Sequence, residues 1–357
     1  MHEAQKPQNE LVAALRSLFV LTPGPPGPRH WIATRAALSM GIPLAALTLA
    51  GRPDLGLMAG TGAFLALFFA GSPAAERARV LPVIGAVLFG SAALATLLAP
   101  SPWLTAAGLV VVAIAGSAFA FAYRVGPPGP VFFVLMFGLS GMITGVRDGA
   151  RVTEPWVFLS TLAGGLVFAY LLALLPALLP SERARQPRPL REILPGPWLG
   201  AGEQWLVVRI AIVAALGAVI SLLWVDPERA YWTVSTGVAV VGMSTVRNHS
   251  FARGLHRTFG TLVGAAVYLA LAPLAQFPWV FVLMLPLLQF TIEFVVARNY
   301  ALALVFITPL VLLIAGAALG DANQLSTATE RFVDTAVGSA LAMASGVLRE
   351  RPKPVSQ

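Results

Sequence analysis

Long apolar runs recur along this chain, and the positive charge of the loops between them alternates. Twelve such runs are read from the sequence, and the loops on the side of the N-terminus hold 17 of the 24 Lys and Arg residues, among them Arg16, Arg77, Arg183, Arg253 and Arg298. The loops on the other side hold five (Arg52, Arg147, Arg151, Arg229 and Arg331), and Arg35 and Arg209 fall inside apolar runs. Lysine and arginine are retained on the cytoplasmic side of a membrane. The alternation therefore predicts an all-α, polytopic membrane protein with both termini in the cytoplasm and its function inside a helix bundle.

Composition agrees. Only 11% of the 357 residues are charged, and the mean hydropathy is +0.78; a soluble domain averages about 25% charged residues. A spanning helix takes about 20 apolar residues, so twelve of them leave no length for a sizeable soluble domain. The net charge of +8 follows from topology and from attraction to anionic lipid headgroups, and nucleic acid is not expected as a partner. The chain has no cysteine, which excludes disulfides, thiolate chemistry and cysteine-ligated zinc. Its four histidines lack metal-ligand spacing, so neither a metal nor a cofactor is expected. No nucleophile–base pair or phosphate-binding loop points to an enzyme.

The apolar runs lie at about 31–50, 55–71, 80–99, 102–122, 130–146, 155–179, 204–224, 230–246, 258–274, 277–297, 300–319 and 331–348. The second, fifth and eighth are short, as in segments that thin the bilayer or re-enter it. Residues 1–30 form a cytoplasmic N-terminal segment without signal-peptide features. Within it Leu11, Ala14, Leu15, Leu18 and Phe19 share one face of an expected amphipathic helix over 8–21 on the inner surface. The stretch TPGPPGPRHW stops that helix. An Arg- and Pro-rich linker, 181–203, separates a first six-helix unit at 31–180 from a second at 204–348, and 349–357 is a cytoplasmic tail.

The two units share landmarks at a near-constant offset. Arg35 matches Arg209 at 174, Thr61-Gly62 matches Thr236-Gly237 at 175, Gly85 matches Gly260 at 175, and Thr153-Glu154 matches Thr329-Glu330 at 176. Six spans per unit is an even number, so the expected repeats are parallel, related by a pseudo-two-fold axis along the membrane normal. A pathway between the units, or one in each, would hold the substrate. Runs such as GTLVGAAV (260–267) and TAVGSALAMASG (335–346) are read as helix-packing surfaces.

The second unit carries Tyr231-Trp232, a basic loop, Arg257 with Gly260-Thr261 and Gly264, then Asn299-Tyr300, Thr308-Pro309, and Arg331 with Asp334 and Gly338. In that order these blocks resemble the fusaric acid resistance protein-like (FUSC) family of the aromatic acid exporter superfamily. The resemblance covers about 120 residues directly. It implies an inner-membrane permease for efflux of aromatic carboxylic acids, related to the aluminium-activated malate transporters of plants, which are anion channels. Many family exporters have a large cytoplasmic domain between or after the membrane halves; the central linker here is about twenty residues.

Ionisable groups within apolar helices mark candidate sites. Arg35 and Arg209, near the cytoplasmic ends of their spans, either snorkel to the interface or hold a carboxylate. Glu293 is either a proton-coupling group or the ion partner of Arg209, Arg35 or Arg298. Asp334, three residues after Arg331, is read as its local ion pair, with proton coupling or an outer gate as the other role. Gln289 and Thr308, beside the proline hinges Pro286 and Pro309, are candidate substrate contacts. Tyr231 and Trp232 belong to an interfacial aromatic belt, or Trp232 stacks on an aromatic substrate. Arg247, Arg253 and Arg257, with His249 and His256 nearby, line a basic cytoplasmic mouth or anchor the topology. The expected function is proton-coupled export of small aromatic carboxylates; the alternatives are a passive anion channel and a non-transporting scaffold subunit. The partners implied are a small organic anion, protons and the lipid bilayer, with a homo-oligomer or efflux partner proteins left open.

Overall fold

The computed structural model describes residues 7–24, 27, 29–242, 247–319 and 323–348. The cytoplasmic tail expected at 349–357 and the side chain of Arg247 lie outside the described residues. The described chain is helical almost throughout, with one small exception. A two-residue hairpin, β1 (Val146–Arg147) with β2 (Ala150–Arg151), turns through Asp148 and Gly149, both at positive φ (51° and 80°). An Asp-Gly pair suits that turn, since both central residues must take the left-handed conformation.

The first unit contains α2 (Arg29–Leu49), α3 (Pro53–Gly60) prolonged by a 3-10 turn (Thr61–Leu67), α4 (Ala74–Leu98), α5 (Pro102–Ala122), α6 (Val131–Ile143) and α7 (Pro155–Leu174). It is preceded by α1 (Pro7–Ser17). The linker holds two single turns, α8 (Pro180–Arg183) and α9 (Leu190–Ile193). The second unit contains α10 (Ala201–Trp224), α11 (Ala230–Val241), α12 (Arg247–Ala275), α13 (Pro278–Val295), α14 (Tyr300–Leu319) and α15 (Gln324–Ser345). Helix starts follow local chemistry. Proline opens α3, α5, α7 and α13, where its fixed φ fits and its missing N–H costs nothing. Ser101 and Asn323 cap α5 and α15 by accepting from Leu104 N and Ser326 N.

Among the described residues eight helices are long and apolar enough to cross a membrane: α2, α4, α5, α7 with its 3-10 extension, α10, α12 from His249, α13 and α14. The chain is thus an all-α multi-pass membrane protein. Pro53–Leu67 and Val131–Ile143 are shorter apolar helices. The eighth apolar run, expected to end near 246, is helical only to Val241, and all twelve residues of α11 are buried. Twelve residues at about 1.5 Å each reach about 18 Å, well short of a hydrocarbon core of about 30 Å. Such a half-length helix is tolerated at membrane depth only when wrapped in protein, as α11 is. Six exposed tryptophans (Trp31, Trp103, Trp156, Trp198, Trp224 and Trp279) stand at or just outside helix ends, where an interfacial belt belongs.

Close backbone approach holds the helices together. A Cβ on Gly165 of α7 would strike the carbonyl of Ala59 in α3, and one on Gly338 of α15 would strike the carbonyl of Thr233 in α11. Gly260 and Gly264 of α12 meet α14 in the same way, at the Ala301 carbonyl and at Thr308. In lipid, van der Waals contact of this kind replaces hydrophobic drive. The two units meet where α13 lies on α2, α5 on α10 and α6 on α11.

Both polar appendages are tied down. Arg188 of the linker meets Glu76 of α4 through Nε (3.0 Å) and Nη2 (2.9 Å), and its backbone N–H adds a third bond (3.0 Å). Helix α1 rests on α12, with Ala14 and Leu18 buried and Leu11, Leu15 and Phe19 exposed. Ser17 Oγ is 2.8 Å from His256 Nε2, and Asn299 Nδ2 donates to the carbonyls of Leu18 and Val20.

Candidate functional site

Polar burial is unequal between the units. The first is packed with phenylalanine: Phe64 and Phe68 lie against Phe132, and Phe68 and Phe119 against Phe133. The second buries Arg209, Arg257, Arg331 and Asp334 together with a series of Ser and Thr side chains. These groups gather around α11, whose small residues let α15 approach at Gly338.

Three guanidiniums attend α11 at positions 232, 236 and 239. Arg331 of α15 stacks over the Trp232 ring, its Cζ 5.0 Å from the centroid. Arg257 of α12 donates from Nε to Thr236 Oγ1 (3.3 Å) and from Nη1 to the Tyr300 hydroxyl (2.7 Å). Arg253, one turn earlier on α12, donates to the carbonyl of Ala239 (3.1 Å) and lies 4.4 Å from the Tyr300 ring centroid. It caps the C-terminal end of α11, where the chain leaves the helix at Gly242 (φ 62°) and a cation is favoured. Residues spaced i, i+4 and i+7 share one helix face, so the three cations form a row about 10 Å long.

Among the described residues none of Arg253, Arg257 and Arg331 forms an ion pair. Arg331 is 2% exposed, and among the described residues two of its nitrogens, Nε and Nη1, have no hydrogen-bond partner, nor has the Trp232 Nε1–H. Asp334, fully buried, accepts from Thr233 Oγ1 (3.2 Å). Its ion partner is Arg229 (3.5 Å), which also pairs with Glu330 and Asp226. The expected Arg331–Asp334 pair is therefore corrected: the carboxylate meets the arginine that precedes α11, and Arg331 turns to Trp232. Trp232 is likewise no belt residue, being 3% exposed beneath that guanidinium. Beside its neighbour Tyr231 lies a cavity of about 100 Å³, lined by Leu109, Phe137 and Met142 and by the ion pair of Arg147 with Glu228 (3.2 Å).

The other sequence candidates do not converge on this row. Arg209 is buried and donates to the hydroxyls of Ser250 (3.2 Å) and Ser345 (3.2 and 3.3 Å). Arg35 donates to the Ala70 carbonyl (2.5 Å), which Arg77 also reaches (3.4 Å). The bonds of Arg209 stay in the second unit and those of Arg35 in the first. Glu293 accepts from Gln289 (3.5 Å), and Arg29 of α2 donates to its backbone carbonyl (3.0 Å). None of the partners expected for it, Arg209, Arg35 or Arg298, forms an ion pair with it among the described residues; Arg298 lies over Phe294 instead. Pro286 packs on Gly41 of α2, while Thr308, next to Pro309, faces Gly264 of α12 with its hydroxyl unpartnered. Gln289 and Glu293 thus sit on the helix facing α2, and Thr308 on the one facing α12. Arg253 and Arg257, read from sequence as part of a basic mouth, stand beside α11, Arg257 buried and Arg253 half-buried. Sequence reasoning took Arg331 only as the partner of Asp334 and missed it as a site residue; its place in the resemblance block was the signal for it.

Residues 204–345 match the family model described as fusaric acid resistance protein-like, bearing out the resemblance carried by the blocks from Tyr231 to Gly338. The chain is also similar to the uncharacterized membrane protein YvaC of Bacillus subtilis (strain 168), 31% identical over 140 residues. That stretch is 39% of this chain and 21% of the relative, so the chain spans about a fifth of its length. No solved structure matches the chain. The arginine row lies wholly within the matched segment: residues 204–345 are the fusaric acid resistance protein-like part of a multi-pass membrane protein.

Proposed function

We propose that this protein is a permease exporting small organic anions, aromatic carboxylates above all, across a cytoplasmic (inner) membrane in exchange for protons. The observation that carries the reading is the row of Arg331, Arg257 and Arg253 along α11, two buried cations and a half-buried one, none of them in an ion pair among the described residues. Charges buried at membrane depth are costly and mark ion or substrate paths. Guanidinium suits carboxylate recognition, and Trp232 with Tyr231 adds aromatic surface beside it. Fusaric acid, in the family's description, is itself a pyridine carboxylic acid. Glu293 and Asp334 are the proton-coupling candidates, and Arg209 holds the anion at the other end of the second unit.

Our reading of the architecture is twelve spans in two parallel six-helix repeats with both termini cytoplasmic. Matching helix pairs support it. Helix α4 packs on α6 and α7 as α12 packs on α14 and α15, and the contact of α13 with α2 mirrors that of α5 with α10. Arg77 and Arg253, 176 positions apart (253 minus 77), each bind carbonyls near the end of a short second helix. A passive anion channel is the second reading, favoured by the same row, because conduction needs successive weak sites.

The test is flux of labelled benzoate in proteoliposomes with and without an imposed pH gradient. Uphill accumulation that a protonophore abolishes, and that Glu293→Gln removes, supports the coupled carrier. Downhill flux indifferent to pH, with current at fixed voltage, selects the channel. No flux of benzoate, malate or chloride would sink both readings.

A further inference from the structure

We infer that the protein has one anion pathway, inside the second unit along the polar face of α15, with the carboxylate binding at Arg331. This rests on the permease reading above and locates its site. Arg331, Thr335, Ser339 and Ser345 are all buried residues of α15. Steps of four, four and six residues keep them near one face of a helix with 3.6 residues per turn, a stripe about 21 Å long. Among the described residues the Arg331 Nε and Nη1 groups and the Thr335 and Ser339 hydroxyls have no hydrogen-bond partner. At the far end the Ser345 hydroxyl accepts from Arg209. The stripe therefore begins at one buried guanidinium and ends at another.

The chemistry of the unpartnered groups selects the ligand. Arg331 and the Trp232 Nε1–H are donors only, and buried donors left unpaired are costly. A ligand that satisfies them presents acceptor oxygens and a negative charge, as a small carboxylate does. Arg257, one turn of α11 further on, supplies the next positive charge. The first unit has no counterpart: at an offset of 175, Pro82 and Trp156 stand where Arg257 and Arg331 stand in the second. Its interior is filled by phenylalanine rings. A pathway there would lack counterparts of Arg257 and Arg331; the buried cation of the first unit, Arg77, donates to the carbonyls of Ala70, Ser72 and Ala173.

The absence of cysteine makes the test direct. Thr335→Cys and Ser339→Cys change little volume, so the fold is retained. Each is introduced singly into the full chain in proteoliposomes and exposed to a small anionic methanethiosulfonate. Ser117→Cys, equally buried and unpartnered but in the first unit, is the control. Both α15 cysteines should react, with benzoate slowing the reaction, and Ser117→Cys should stay unreactive. Arg331→Lys keeps the charge but loses the guanidinium fork. It should weaken benzoate protection and benzoate-dependent thermal stabilisation by roughly tenfold, and Arg331→Gln by roughly ten- to a hundredfold.

Unreactive α15 cysteines in a protein that still moves benzoate would overturn the pathway and leave the permease reading standing. Reactive cysteines that benzoate does not protect, or an unchanged benzoate affinity in both Arg331 variants, would overturn the binding site. A wild type that neither binds nor moves benzoate, malate or chloride would overturn the permease reading and this inference with it.

Discussion

Asp334 Oδ2 lies 3.5 Å from Nε of Arg229, so a fully buried carboxylate of α15 is tied to the residue just before α11. Arg229 also holds Glu330 and Asp226. One cation thus serves three carboxylates, and the ion pair of Asp334 is with Arg229, not with Arg331.

Removing this tie should be expensive. Arg229→Gln leaves the buried Asp334 without its ion partner, and breaking such a pair costs about 3–5 kcal/mol when both partners are buried. Arg229 is partly exposed, so about 2–3 kcal/mol is expected, read as a lower midpoint of thermal unfolding in nanodiscs. A midpoint unchanged from wild type would show that Asp334 does not depend on Arg229.

Gly338 sets the distance between α15 and α11. Gly338→Val should destabilise by about 1–3 kcal/mol through overpacking against the Thr233 carbonyl, and it should displace Arg331 enough to lower benzoate flux. Gly71→Ala, where nothing lies within 4 Å of an added Cβ, should change neither. Equal behaviour of the two variants in unfolding and flux assays would count against the close approach.

Tyr300→Phe removes the acceptor of the 2.7 Å bond from Arg257 Nη1 and keeps the ring under Arg253. A stability loss of about 1–2 kcal/mol is expected, with a changed KM for benzoate because Arg257 is less firmly placed. If only stability moves, Arg257 is structural and the row is shorter than proposed.

The linker should come loose in Glu76→Gln. The carboxylate of Glu76 accepts three hydrogen bonds from Arg188, and holds that guanidinium above its ordinary pKa chiefly through the side-chain hydrogen bond. Without it, trypsin should cut at Arg183, Arg185 and Arg191 several-fold faster, with little change in flux; the Arg188–Pro189 bond resists trypsin in either case. Unaltered digestion would mean that the rest of the linker, not this clamp, holds it to α4.

Much of the architecture was legible in one dimension, because spanning a bilayer constrains length and hydropathy locally. The apolar runs became helices, and the three short ones became the short helices α3 with its 3-10 turn, α6 and α11. The amphipathic helix expected over 8–21 became α1, which ends at Ser17, so that Leu11, Ala14 and Leu15 lie within it and Leu18 and Phe19 beyond it. The all-round apolar and small-residue character of α11 also signalled full burial, and Asp148-Gly149 signalled a hairpin; neither was read that way.

The site was far less legible, because it consists of contacts between distant residues. Arg331 meets Trp232 across 99 positions, 331 minus 232, and no local pattern distinguishes that stack from an i, i+3 pair with Asp334. Arg253 and Arg257 read as a basic loop, since their row along α11 exists only once α12 has packed beside that helix. The sequence by itself determined that this protein is a helical bundle in a membrane, through the cost of exposing polar backbone and charge to lipid. Only the tertiary structure decided which charges sit unpaired inside it, because pairing depends on which side chains helix packing brings within a few ångströms.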